Sequence, residues 1–312
     1  MNTPSNALPE SIEPQAIAVT SATRPFCWSV RRELWENRSI YVAPLAVASI
    51  YLLGFVVSLM WTPQAMHGMA QLHDSTPLLV RLAMPYAHAG MLIALIGFLV
   101  GIFYSLDALH GERRDRSILF WKSLPVSDLT TVSSKAIIPL VVLPLLVFAI
   151  TVTLQLIMLL LEAAASMVRG SGIATPWAPP LPQMELVLLY SLIVMALWFA
   201  PIYCWFILVS GWARRATFLW AVLPPLAIAA FEKIAFNTSY FGVMLGDRFV
   251  GFAPAAFNLV DKSGVPIDPH FIPLTQLAPG RFLSSPGLWL GLVFAAICLA
   301  AAVRLRRYQG PI

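Results

Sequence analysis

The run Ala136-Ile-Ile-Pro-Leu-Val-Val-Leu-Pro-Leu-Leu-Val-Phe-Ala-Ile-Thr-Val-Thr-Leu-Gln-Leu-Ile-Met-Leu-Leu-Leu161 contains no charged side chain. A helix rises about 1.5 Å per residue, so roughly 20 apolar residues cross the hydrocarbon core of a bilayer. No water reaches the backbone there, which leaves helices and closed barrels as the only spanning structures. Barrel strands alternate apolar and polar residues over about ten positions. Val141-Val142-Leu143-Pro144-Leu145-Leu146-Val147-Phe148 does not alternate. The run reads as a membrane-spanning helix.

Outward from it, four more uncharged apolar runs lie at 40–61, 82–106, 186–213 and 282–303. A shorter one at 216–231 meets Glu232-Lys233 and resumes at 234–236. The reading is an all-α membrane protein with six transmembrane helices, at 40–61, 84–106, 136–161, 186–210, 216–236 and 284–305, within a spanning domain 39–308. Composition agrees: of 312 residues 59% are hydrophobic and 11% charged, and the mean hydropathy is +0.77. A soluble domain carries about 25% charged residues to solvate its surface. Pro139, Pro144, Pro201, Pro224 and Pro225 fall inside the spans, where each frees a carbonyl. Tolerated bends and hinge or pathway positions are both open for them.

Positive charge sets the orientation. The segments before span one, between spans two and three, between four and five, and after six hold fourteen Arg and Lys. The opposite side holds Arg81, Arg169, Arg248, Lys262 and Arg281. Both termini are therefore expected in the cytoplasm. The net charge of +5 reflects this topology and contact with anionic lipid, and needs no nucleic acid. Residues 1–23, rich in Pro, Ser and Ala, read as a flexible tail and not as a cleavable signal peptide.

Residues 24–38 read as an interfacial helix. At about 100° per residue Phe26, Val30 and Leu34 share one narrow sector. Arg31 and Glu33 crowd its edges, Arg32 and Glu36 point away, and Trp28 and Trp35 share the far flank, at headgroup depth or against a partner. Between spans two and three, 107–135 is the most charged part of the chain. Pro125 ends a first helical stretch there, and Ser127 or Asp128 caps a second. Beyond span five, 237–283 is rich in Pro and Gly, and its apolar 249–257 reads as a re-entrant or interfacial hairpin.

Catalytic and metal signatures do not appear. There is no phosphate-binding G-x-x-x-x-G-K-[ST] and no H-E-x-x-H. His67, His73 and His88 match no metal-ligand spacing, and Cys27, Cys204 and Cys298 form neither a disulfide framework nor a metal motif. No catalytic, cofactor-binding or metal-ligating residue is assigned, and the chain reads as a non-enzyme. Glu232-Lys233 is the one ionisable pair near membrane depth. It is either a snorkelling pair at the interface or a polar contact on a substrate path or at the turn after span five.

From Glu112 to Lys135 the chain resembles the membrane subunits of type-2 ATP-binding-cassette (ABC) exporters. Glu112-Arg113 opens the stretch, Ser117-Ile118-Leu119 follows, Ser123-Leu124-Pro125-Val126-Ser127 makes a turn, and Lys135 closes it before span three. Arg116 stands where many relatives have Gly. The helix at 24–38 is similar to the family's connecting helix, with Trp28, Arg31, Arg32 and Trp35 on it, and 107–135 to its coupling segment. The resemblance implies a bacterial inner-membrane permease. Two six-span copies, identical or homologous, would each bind a separate ATPase subunit that carries ATP and Mg. Phe120, Trp121 and Leu124 would pack in a groove of that ATPase, and Glu112, Arg113, Asp115 and Arg116 would orient it. The cargo class it implies is a lipid, drug or peptide. An ion-gradient-driven carrier or channel is the alternative, against which the scarcity of mid-span charge argues.

Overall fold

A computed structural model of the chain describes residues 23–69, 78–115, 117, 126–168, 180–260 and 272–308. Among these residues there is no strand, and six helices are long and apolar enough to cross a membrane. This is the architecture of a multi-pass membrane protein. The first helix, α1 (Thr23–Glu36), precedes span one, α2 (Ser39–Met69). Span two is α3 (Leu78–Asp107), followed by a short α4 (His110–Arg114).

Span three starts earlier than its apolar run. Its first helix is α5 (Asp128–Ile137), and Ser127 caps it by accepting the Thr130 amide at 3.1 Å. Of the two capping candidates, Ser127 therefore takes the position. A π-helical turn at Ile138–Val142 then leads into α6 (Leu143–Val168). Pro139 sits in that turn. Its ring cannot donate a backbone bond and crowds the carbonyl four residues back, and the wider π turn accommodates both defects.

Span four, α7 (Leu181–Trp212), is the centre of the bundle: 67% of its apolar window is buried, against 6% for span five, α8 (Thr217–Phe236). Span four packs on span six, α12 (Pro286–Tyr308), through the small residues Ala200, Cys204, Ala295 and Cys298. Small side chains let helices approach closely where the hydrophobic effect no longer favours association. Gly97 and Gly101 of span two do the same toward Val147 and Tyr203.

At Pro225 a neighbouring helix makes good the lost hydrogen bond. Pro225 removes the donor for the Ala221 carbonyl, and the Trp205 indole of span four donates to that oxygen at 3.0 Å. Span five is bounded by two left-handed residues, Ala216 (φ 50°) and Asn237 (φ 51°), which reverse the chain sharply at each end. Beyond it lie α9 (Tyr240–Val250), α10 (Phe252–Ala256), a 3-10 turn at Leu274–Gln276 and α11 (Pro279–Ser284). The hairpin expected at 249–257 is thus two short helices, the second ending at a bridge between Phe257 and Leu277.

Candidate functional site

The densest chemistry lies where α1, α4, the start of span three and the end of span six meet. Glu33 of α1 is fully buried. Its carboxylate accepts the Lys135 ammonium at 2.9 Å, the Arg32 guanidinium at 2.7 Å and the Tyr104 hydroxyl at 2.9 Å. Burial by itself would raise its pKa, but Lys135 and Arg32 outweigh it and hold the carboxyl below the ordinary value. Arg32 and Lys135 both reach on to Glu112, at 2.9 and 3.2 Å. Arg306, at the end of span six, donates to Glu112 at 2.7 Å and to Asp128 of α5 at 3.1 Å. Glu33, Glu112 and Asp128 are therefore matched by Arg32, Lys135 and Arg306, with Arg32 and Asp128 at the partly exposed ends of the network.

These groups arrive from five elements by local necessity. Around α1, Val30 and Leu34 pack on the cluster that includes Ile40, Tyr104, Val132 and Ala136. That contact carries Glu33 inward with them, although helical periodicity set it only at the edge of the apolar sector. Lys135 lies one turn before the π turn, with Ser134 and Ala136 buried beside it. A buried ion pair offsets its desolvation only with good geometry and further hydrogen bonds, and here both are present.

Arg113, next to Glu112, faces the other way. Its guanidinium donates to the Gly211 carbonyl at 2.6 Å and to Ala213 at 3.3 Å. These are terminal carbonyls of span four, where a cation also meets the negative end of the helix dipole. His110 Nδ1 lies 3.3 Å from the Ala213 carbonyl, and the Leu109 amide donates to Ser210 Oγ at 3.2 Å. Through Glu112 and Arg113 α4 is joined to α1, span three and span six on one side and to span four on the other. It is a hub.

The residues expected to orient an outside partner divide accordingly. Glu112 and Arg113 are 7% and 6% exposed, and the contacts they make are inside the chain. Both side chains are turned inward, the carboxylate toward Lys135 and Arg306, the guanidinium toward the carbonyls of span four. Asp115 is exposed and pairs with exposed Arg114 at 3.1 Å. Arg116, Phe120, Trp121 and Leu124 lie outside the residues whose side chains are described.

On α1, Arg32 belongs to the buried network, while Trp28 and Trp35 are 62% and 63% exposed, with Arg31 between them. Its guanidinium carbon is 5.5 Å from one ring centre and 4.7 Å from the other. Glu232 and Lys233 do not act as a pair. The Glu232 carboxylate accepts the Thr238 hydroxyl at 2.9 Å and the Tyr240 and Phe241 amides at 2.7 and 2.8 Å, holding the first turn of α9, while Lys233 is exposed. Glu232 thus makes its contacts at the turn after span five.

Sequence reasoning missed Glu33, Tyr104, Asp128 and Arg306 as members of one site, and treated Lys135 only as the end of a motif. Two signals pointed to them. Glu33 is the one acid between the apolar Val30 and Leu34, and Lys135 stands directly against an uncharged run. Compared with protein-family models, with curated proteins and with solved structures, the chain matches none.

Proposed function

We propose that this chain is the permease subunit of an ATP-driven ABC exporter, with the end that carries α1 and α4 in the cytoplasm. The observation that carries the reading is the hub at α4. In the order of the chain it opens the segment that resembles a coupling element, and buried charges tie it to α1 and to spans three, four and six. A partner that displaces the 107–135 segment moves four elements at once, because each tie resists separation of charges in a medium of low dielectric.

On this reading two copies, identical or homologous, assemble with two ATPase subunits that hold ATP and Mg. Closure of the ATPase pair pushes the segment, and the hub passes the displacement to the spans. The apolar span surfaces suit a hydrophobic or amphipathic cargo such as a lipid, drug or peptide. Glu112 and Arg113 then act as positioning residues for the lever. Packing against the ATPase falls to Phe120, Trp121 and Leu124.

A second reading, a gradient-driven carrier, is favoured by one observation. Thr151 and Gln155 of span three are buried, and Thr151 Oγ1 and Gln155 Oε1 have no hydrogen-bond partner among the described residues. One experiment separates the two. The chain is purified from its own membranes in mild detergent and reconstituted in vesicles. The exporter reading expects a co-purifying ATPase in equal amount, ATP hydrolysis by the complex, and loss of that association in Trp121→Ala. Transport driven by a proton or sodium gradient with the chain alone would sink it.

A further inference from the structure

We infer that the outward face of α1 is a binding surface for anionic phospholipid headgroups. Trp28, Arg31 and Trp35 of α1 follow the spacing i, i+3, i+7, which keeps one stripe along a helix. An arginine thus lies between two tryptophans on this stripe, and in the sequence Arg24 and Arg38 flank it on either side. The opposite face of the helix is already occupied, because Val30 and Leu34 pack on the bundle and Glu33 is fully buried.

Charge complementarity selects the occupant. Among the acids of α1, Glu33 is consumed by Lys135 and Arg32, and Glu36 pairs with Arg32 at 3.5 Å. Glu36 is exposed but lies on the flank of Arg32, about 100° around the helix from Trp35, so the charge between the two tryptophans is that of Arg31. Trp28 and Trp35 bracket Arg31 within cation–π range, which fixes its guanidinium between two amphipathic rings. Tryptophan sits at headgroup depth because its ring is apolar and its N–H is polar. A guanidinium held at that depth meets phosphate oxygens, which it bonds in a forked geometry. Span one begins at Ser39, shortly after α1 ends at Glu36, so the stripe lies just before the chain enters the membrane. The inference rests on the membrane architecture and not on the exporter reading.

Cys27 makes the test specific. It is exposed on α1, whereas Cys204 and Cys298 are buried, so a thiol-reactive fluorophore reports on this helix. The labelled full chain is placed in nanodiscs of phosphatidylcholine and phosphatidylglycerol, with bromine quenchers carried on one lipid or the other at equal total bromine. Each basic residue near an anionic surface contributes enough to favour binding by about fivefold. The expected result is stronger quenching from the brominated anionic lipid, weakening as salt is raised from 0.1 M toward 1 M and the screening length falls from about 10 to about 3 Å. Arg31→Gln should reduce the preference by about fivefold. Arg31→Lys should keep most of it, and Arg214→Gln, at an exposed arginine outside the stripe, should leave it unchanged. Equal quenching by both lipids overturns the inference. So does quenching by aqueous iodide with none from either lipid, which would mean that water or a soluble partner covers this face.

Discussion

Around Glu112, ion pairs join residues 23 to 194 positions apart on separate helices, and charge answers charge. Beyond span five the charges answer backbone instead. Glu232 takes two amides eight and nine positions ahead of it, Arg281 donates to carbonyls 24 to 27 positions away, and Arg248 donates to the Gly287 carbonyl at 2.8 Å. An added Cβ at Gly291 would collide with that Arg248 guanidinium, so span six is shaped to let it pass. The difference teaches where cooperativity lies. Non-local charge pairs cross-link separate helices, and losing one loosens the assembly. Charge–backbone contacts such as those of Glu232 and Arg281 stitch a short segment, and losing one loosens only that segment.

The sharpest way to break this contrast is Lys135→Met. It leaves Glu33 and Glu112 buried without the ammonium that both contact, and removing one partner of a buried pair costs about 3–5 kcal/mol. Thermal unfolding in mild detergent micelles should show a large loss, while Lys233→Met, at an exposed cation beyond the network, should leave the transition unchanged. In the double variant Glu33→Gln/Lys135→Met the two losses should add to less than their sum by about 0.5–3 kcal/mol, the mark of direct coupling. Acid should act on the same contact. The folded state holds the Glu33 carboxyl below its ordinary value of 4.5, so its contribution is complete above that pH and is lost as pH falls through the depressed value. A wild-type transition in Lys135→Met would show that apolar packing alone holds this end.

How much of this was legible follows from what each signal measures. Spans are long and repetitive, so hydropathy found all six, and α1 within two residues. Span three was cut short at 136 because Asp128 and Lys135 look like solvent-facing charges to any scale that scores residues singly. Their helix was legible from the cap at Ser127 or Asp128, but not that Arg306, 178 residues from Asp128, pairs with it. No local pattern holds that information. The same holds for Glu112, whose acidic character was legible and whose inward direction was not. Glu232 was legible as ionisable, but its partners are backbone amides, which carry no sequence signature.

A smaller effect tests the other half of the contrast. Arg281 donates to the carbonyls of Pro254, Ala255 and Phe257, and so closes the end of α10 against α11. Its guanidinium is exposed, which places the loss in Arg281→Gln near the lower end for a charged hydrogen bond, about 1 kcal/mol. Hydrogen exchange should quicken in residues 252–257 and 274–284 and stay unchanged in spans three and four. Faster exchange at α1 or α5 in this variant would mean that the two regions are coupled and that the stitching is not local.

The smallest effect belongs to Glu232→Gln. The side chain keeps its length and one oxygen, so the Thr238 hydroxyl and one of the two amides retain an acceptor. What disappears is the negative charge at the first turn of α9, where unpaired amides and the positive end of the helix dipole favour an anion. Asn237, in its left-handed conformation, still reverses the chain, so the turn itself should form. Exchange at the Tyr240 and Phe241 amides should therefore become measurably faster, with the melting transition unmoved. Glu232→Ala should exceed it, since both acceptor oxygens go. If Glu232→Gln shifted the global transition instead, Glu232 would belong with Glu33 and Glu112, and charge at this end too would be a cross-link.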